Sequence, residues 1–192
     1  MKNVIFDLYL TLVDTTILEQ ARHDRNWSLA YTLIPRCHVY YGLGDVFDFI
    51  RKNNVNTCIV STSPRPYVER IVSHFNLPIK HIVSYHDAKP IKPHPAQMLK
   101  ALELMCCPAR NAISFGDRLI DIQASNAANI ESVSCLWGTK ERSNLLLSNY
   151  NHVISNPTDI ISLFLNKIHK VTRRRQGIRG ARWGGCLIYN IL

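Results

Sequence analysis

The chain has 192 residues, of which 46% are hydrophobic and 19% charged, with a formal net charge of +9. That length suits one α/β domain with a short tail, and the apolar share excludes a disordered or solvating protein. No apolar run approaches the ~20 residues of a membrane-spanning helix, and the first apolar stretch, MKNVIFDLYLTLVD, carries Asp7 inside it and makes a poor signal peptide. A soluble, cytoplasmic protein is expected. The six cysteines show no C-x-x-C pair and no Cys/His spacing suited to zinc, and several, such as Cys58 and Cys135, read as small buried hydrophobes. The basic charge is uneven: six Lys/Arg and no acid follow His169, and the rest of the chain carries only +3.

Residues 2–7, KNVIFD, are a short apolar run ending in an acid, as expected of a buried strand. Residues 15–40 place Ile17, Leu18, Ala21, Trp27, Leu29, Ala30 and Leu33 at helical spacing and predict one or two helices ending near Pro35. DVFDFIRKN (45–53) predicts an amphipathic helix capped by Asp45, followed by the strand TCIVS at 57–61. A helix over 66–75, a strand at 81–84 and a Pro- and Lys-rich loop, KPIKPHP (89–95), come next. The pattern then predicts a helix over 96–105, the strand AISFGD (112–117), a helix over 120–128 and a strand at 132–137. A helix over 140–147, the strand HVIS and a helix over 159–168 complete it.

Apolar strands alternating with helices predict an α/β fold: three layers, doubly wound, with a mostly parallel sheet covered on both faces. Such sheets bind ligands at the carboxyl ends of their strands, near a topological switch point. Three predicted strands end in polar chemistry there: Asp7 after NVIF, Ser61 after CIV and Asp117 after ISFG. Asp7 and Asp117, with Asp121 four residues on, suit a hard cation such as Mg²⁺. Gly116 allows the tight turn that aims Asp117 into a cleft. Ser61 at a helix entrance can hydrogen-bond a phosphate, and Lys92 in its proline-stiffened loop can supply the positive charge phosphoryl transfer needs. Taken singly, each has a structural explanation: a loop cap for Asp7, a helix cap for Ser61, a solvated side chain for Lys92. Their shared order is what points to chemistry.

FDLYLTLVDT is similar to the motif D-x-D-G-T-L-x-D, and CIVSTS to a Ser/Thr at the end of a hydrophobic strand. IKPHP resembles a lysine motif that commonly reads K-P-x-P, FGDRLID resembles G-D-x-x-x-D, and LWGTK has the look of the strand that follows. Four motifs in this register resemble the haloacid dehalogenase-like (HAD) superfamily, and the resemblance covers residues 1–168. It implies a HAD-like Rossmannoid core over 1–168 with a small helical cap insert at 15–40, and leaves 169–192 as a basic tail outside it. It further implies that Asp7 is a nucleophile forming an aspartyl-phosphate. Mg²⁺ would be held by Asp7, the backbone carbonyl of Tyr9 and Asp117, with Asp121 as a ligand or acting through water. Ser61 would bond the phosphoryl oxygens, Lys92 would neutralise charge, and Thr11 would support the loop after the nucleophile.

Two positions depart from that pattern. The family's phosphatases usually carry Asp two residues after the nucleophile, where this chain has Tyr9. A phenol can donate a proton but is a poor base at neutral pH, and losing a general acid–base group typically costs ~10²–10⁴ in rate. Leu10 replaces the usual glycine, adding bulk where the backbone approaches the metal. The expectation is a Mg²⁺-dependent phosphohydrolase acting slowly on small phosphomonoesters. Tyr9 also raises the alternative of a metal-free 2-haloacid dehalogenase, against which the Asp117–Asp121 pair would repel an anionic haloacid. A catalytically impaired phosphate- or partner-binding protein is the remaining reading. Arg22, His23 and Arg25 in the insert are either a solvated helix face or contacts for a substrate's anionic groups, while Trp27 and Tyr31 read as the insert's own packing. The tail HKVTRRRQGIRGARWGGCLIYNIL is an extension whose arginines and Trp183 offer the only route to nucleic acid.

Overall fold

In the computed structural model, which describes residues 3–165, the first apolar run forms β1 (Asn3–Phe6) at the centre of a six-stranded sheet. The other strands are β4 (Asn56–Val60), β5 (His81–Val83), β6 (Ala112–Gly116), β7 (Glu131–Cys135) and β8 (His152–Ile154). Their order is β5-β4-β1-β6-β7-β8, and every neighbouring pair is parallel. From β1 the chain steps to β4 and β5 on one side, then crosses to β6, β7 and β8 on the other. The switch therefore falls at β1, whose C-terminal end carries Asp7.

Both faces of the sheet are covered, which is why the strands read as unbroken apolar runs. Val4 and Phe6 face one way with Ile59, Ile113 and Phe115, against α3 (Leu43–Lys52), α4 (Arg65–His74) and the helical residues 159–165. Phe6 and Phe115 stack there at 5.3 Å between ring centroids. Ile5, Cys58 and Val60 face the other way with Met98 and Ala101 of α5 (Ala96–Leu104) and Ala124 of α6 (Leu119–Ala127). Each fully buried aliphatic or aromatic side chain contributes about 1.5–3 kcal/mol, so the alternation holds the register as well as the layers.

Between β1 and α3 the insert folds into a 3₁₀ turn, α1 (Glu19–His23), α2 (Trp27–Leu33) and a second 3₁₀ turn at Ile34–Arg36. Asn26 caps α2 by accepting from the Leu29 N–H at 3.1 Å. A short antiparallel pair, β2 (Val13–Asp14) with β3 (His38–Val39), closes the base of this insert and is absent from the sequence prediction.

Two other expectations need correction. Asp45 does not cap α3: the helix starts at Leu43 after Gly42, whose φ of 87° lies in the left-handed region, and Asp45 sits in the first turn. Leu43 is fully buried, so the core recruits the helix earlier than the capping signal suggests. The helix expected over 140–147 is only α7 (Arg142–Leu146), because Lys140 and Glu141 turn toward the sheet's C-terminal edge instead. The cysteines named as buried hydrophobes, Cys58 and Cys135, are fully buried. Cys37 is buried as well, and Cys106 is exposed. No helix among the described residues is long and apolar enough to cross a membrane. The basic tail at 169–192 and the end of the helix expected over 159–168 lie outside the described residues.

Candidate active site

The C-terminal ends of β4, β1 and β6 lie side by side and deliver Ser61, Asp7 and Asp117 to one cleft of about 320 Å³. Tyr9, Lys92 and Asp121 line the same cleft. Thr11 does not line it. It lies buried behind the wall, where its hydroxyl donates to Asp117 Oδ1 at 2.7 Å.

At the centre is Lys92, which is buried rather than solvated. Its ammonium donates to Asp7 Oδ1 at 2.6 Å, Asp121 Oδ1 at 2.6 Å and the Val60 carbonyl at 3.0 Å. Three donors meeting three acceptors leave no proton of the ammonium unused. Burial works against the charge of Lys92, but Asp121 and Asp7 outweigh it and push its pKa above the ordinary range.

Ligand oxygens of Asp7, Asp117 and Asp121 lie within 4.8 Å of one another. One lysine cannot balance three carboxylates. Burial, with a further push from Asp121, raises Asp7 to about 6 despite the pull of Lys92. Burial, then Asp7 and Asp121, raise Asp117 to about 8. Among the described residues, Asp117 Oδ2 is buried with no hydrogen-bond partner, and none of the backbone bonds that tie the loop after β1 uses the Tyr9 carbonyl. An all-oxygen donor set with excess negative charge and an unpartnered buried oxygen fits a hard divalent cation.

The backbone around this cluster leaves no room for larger residues. A Cβ on Gly116 would meet Asp121 Cβ at 2.3 Å, so the glycine permits close approach of β6 to α6. Leu10 takes the left-handed conformation, φ 58°, that a glycine would adopt freely. Its side chain is only 3% exposed, and burial of that leucine compensates the backbone strain.

Tyr9 lies under the guanidinium of Arg22, 3.9 Å from the ring centroid. Its hydroxyl is buried without a hydrogen-bond partner among the described residues, in the neighbourhood of Glu19 and Lys140, which pair with each other. Arg22 therefore lines the cleft instead of forming part of a solvated face. His23, by contrast, is 81% exposed. Trp27 packs on Tyr67 at 5.8 Å and Tyr31 under Arg70 at 4.4 Å, as their packing role predicts.

Several site residues escaped the sequence reading. Gln97, fully buried on α5, accepts from the Lys92 N–H at 3.2 Å and donates to the carbonyls of Ser61 at 3.1 Å and Ser84 at 2.9 Å. It joins three loops. The only sequence signal is a glutamine inside the apolar stretch AQMLKAL. Segment 137–141 binds the two aspartate loops from outside. Trp137 Nε1 donates to the Thr11 carbonyl at 3.0 Å, the Thr139 hydroxyl donates to the Asp117 carbonyl at 2.5 Å, and Glu141 accepts from the Leu119 N–H at 3.1 Å. Gly138 fits only because it lacks a side chain: a Cβ there would lie 2.2 Å from the Leu10 carbonyl oxygen.

The comparisons agree with this architecture. The model of the haloacid dehalogenase-like hydrolase family matches residues 19–135, which include Ser61, Lys92, Asp117 and Asp121 but not the Asp7 loop. The chain is 26% identical over 133 residues to pyrophosphatase PpaX of Oceanobacillus iheyensis, covering 66% of this chain and 58% of that protein. It is 24% identical over 102 residues to phosphoglycolate phosphatase of Pseudomonas putida, covering 52% and 38%. The chain thus spans little more than half the length of the first of these relatives. Among solved structures, CbbY of Rhodobacter sphaeroides in complex with phosphate superposes with a TM-score of 0.73 at 14% identity, over 83% of this chain and 96% of that one. A β-phosphoglucomutase of Clostridium difficile gives 0.70 at 17% identity, over 90% and 99%. Those two likenesses speak for the fold. Since the family model covers more than half of the chain, this protein belongs to the haloacid dehalogenase-like hydrolases.

Proposed function

We propose that the chain is a Mg²⁺-dependent phosphohydrolase that acts on phosphomonoesters through an aspartyl-phosphate on Asp7. The observation that carries this reading is the meeting of three carboxylates around one buried lysine, with Asp117 Oδ2 left unpartnered. Asp7, Asp117 and the Tyr9 carbonyl, with Asp121 beside them, would hold the cation. Bound there, Mg²⁺ supplies the positive charge that lets an anionic carboxylate meet an anionic phosphate.

Lys92 bonds Oδ1 of Asp7, which leaves Oδ2 as the attacking atom. Attack forms the Oδ2–P bond and breaks the P–O bond to the leaving group, whose oxygen takes a proton from the Tyr9 hydroxyl. Ser61, whose Oγ already accepts from the Ser63 N–H at 3.2 Å, keeps its own proton for a phosphoryl oxygen. Thr11 holds Asp117 in place from behind. Water then attacks phosphorus and passes its proton back to the Tyr9 oxygen, which restores the Asp7 carboxylate and releases phosphate. A phenol gives up its proton to the leaving group less readily than a carboxylic acid does, which makes the enzyme slow. Residues 15–40 act as a small cap, and the named activities of the relatives, on pyrophosphate and phosphoglycolate, favour a small phosphorylated substrate. A metal-free dehalogenase reading has no support in the geometry, since the three carboxylates would repel an anionic haloacid.

The test is acid quenching during turnover of a phosphomonoester with Mg²⁺, followed by mass spectrometry of the peptide holding Asp7. Phosphoryl on Asp7 is expected. Phosphate binding with no phosphoryl transfer to Asp7 would replace the hydrolase with a binding protein.

A further inference from the structure

Beside the cleft lies a second chamber of about 520 Å³. The two share Glu19, Arg22, Thr62 and Ser63, so they are one continuous space divided at Arg22.

Its walls have a distinctive composition. Trp27 and His23 from the insert, and Tyr85 and His86 from the turn after β5, all line it. Trp27 meets Tyr67 at an interplanar angle of 57° and Tyr85 meets His86 at 86°, so neither ring stacks on a parallel aromatic partner, and Lys89 Nζ lies over one face of Tyr85 at 5.1 Å. Arg22 and Arg25 add two cations, and neither forms an ion pair with a carboxylate among the described residues. Arg22 Nε is buried without a hydrogen-bond partner among the described residues. The one carboxylate on the wall, Glu19, is engaged by Lys140. Aromatic rings and guanidinium groups outside any carboxylate pair among the described residues together favour a ligand that is flat and negatively charged, although the Arg22 guanidinium also lies over the Tyr9 ring at 3.9 Å. The volume is also in the range of pockets that enclose whole small molecules, about 300–1,000 Å³, and well beyond what a two- or three-atom leaving group fills.

We propose that this chamber receives the leaving group of the substrate, and that the substrate is a phosphomonoester of the nucleoside monophosphate class, its base lying against Trp27 and Tyr85 and its phosphate reached by Arg22. The inference rests on the phosphohydrolase reading for its chemistry. Hydrolysis breaks the bond between phosphorus and the ribose oxygen, which leaves with a proton as the nucleoside.

The test compares adenosine 5′-monophosphate with ribose 5-phosphate, in which an anomeric hydroxyl stands in place of the base, in the full chain with Mg²⁺. Base–aromatic stacking predicts a kcat/KM ratio of roughly 10-fold or more in favour of the nucleotide. Tyr85→Ala and Trp27→Ala should each pull that ratio toward one. Trp27 also packs on Tyr67, so Tyr85→Ala is the cleaner variant, and thermal unfolding checks that both fold. Calorimetric titration of Asp7→Asn with the same two ligands gives an answer that needs no turnover: the nucleotide should bind about 10-fold tighter or more. Equal handling of the two ligands, or preference for pyrophosphate or phosphoglycolate over both, overturns the inference while leaving the hydrolase intact. Absence of turnover on every phosphomonoester defeats the hydrolase reading instead, and the titration alone then decides whether the chamber takes a nucleotide.

Discussion

Replacing Gln97 with methionine removes a residue that touches no substrate yet ties the site together. Methionine has nearly the same volume, so the cavity contribution is small and the hydrogen bonds dominate. The side chain amide joins the Lys92 N–H and the carbonyls of Ser61 and Ser84. The Ser84 carbonyl keeps a second donor, the Asp87 N–H at 3.2 Å, and so stays satisfied in the variant. The Ser61 carbonyl and the Lys92 N–H do not. Two buried backbone groups left without partners cost about 1–3 kcal/mol each, so Gln97→Met should lose roughly 2–6 kcal/mol. Native stability is typically about 5–15 kcal/mol, so this loss is a large share of it and is readily measured. Urea unfolding of wild type and variant measures the loss, and phosphate titration should show weaker binding because the Ser61 and Lys92 loops are no longer joined. A loss below about 1 kcal/mol with unchanged phosphate affinity would refute the claim that Gln97 positions these loops.

Leu10→Gly sets two effects against each other: relief of about 1–2 kcal/mol of left-handed strain, and loss of a buried leucine, for which truncation typically costs about 2–5 kcal/mol. The burial term is larger, so the variant should be less stable than wild type in thermal unfolding; a more stable variant would contradict that ordering. Tyr9→Asp restores a carboxylate able to act as both acid and base and should raise phosphomonoester turnover by roughly 100-fold or more, the usual worth of such a group. An unchanged rate would mean that Tyr9 is not the limiting feature. Asp87 reports on pH. Burial opposes its charge, but the Ser84 hydroxyl, the Ser84 N–H and Arg65 outweigh that and hold its carboxyl below the ordinary range. Its stabilisation is therefore complete above the unfolded carboxylate range, near pH ~4, and is lost as pH falls through the lower folded value. Asp87→Asn should flatten the acid limb of the stability profile, and parallel profiles for the two proteins would argue against the network.

Most of the fold could be read from the chain because β1, β4 and β6 are buried on both faces and so appear as unbroken apolar runs. The site could be read for a related reason: Asp7, Ser61 and Asp117 each follow such a run, and a parallel sheet collects strand ends on one edge. What escaped depends on partners distant in sequence. Trp137 and the Thr11 carbonyl are 126 residues apart, and no local pattern joins them. The pair β2–β3 has two residues per strand, too short for an alternation to show. Arg22 has the spacing of a solvated helix residue, and only the position of Tyr9 beneath it turns it into the cleft. Asp45 had a good capping residue's chemistry, but burial of Leu43 set the helix start.

The most direct test of the central claim is phosphate release from a panel of phosphomonoesters by wild type and Asp7→Asn, each with Mg²⁺ and with EDTA. Release that requires both Mg²⁺ and the Asp7 carboxylate is the expected result. Equal release from Asp7→Asn, or release undiminished by EDTA, would contradict a metal-dependent aspartyl-phosphate mechanism at this cleft.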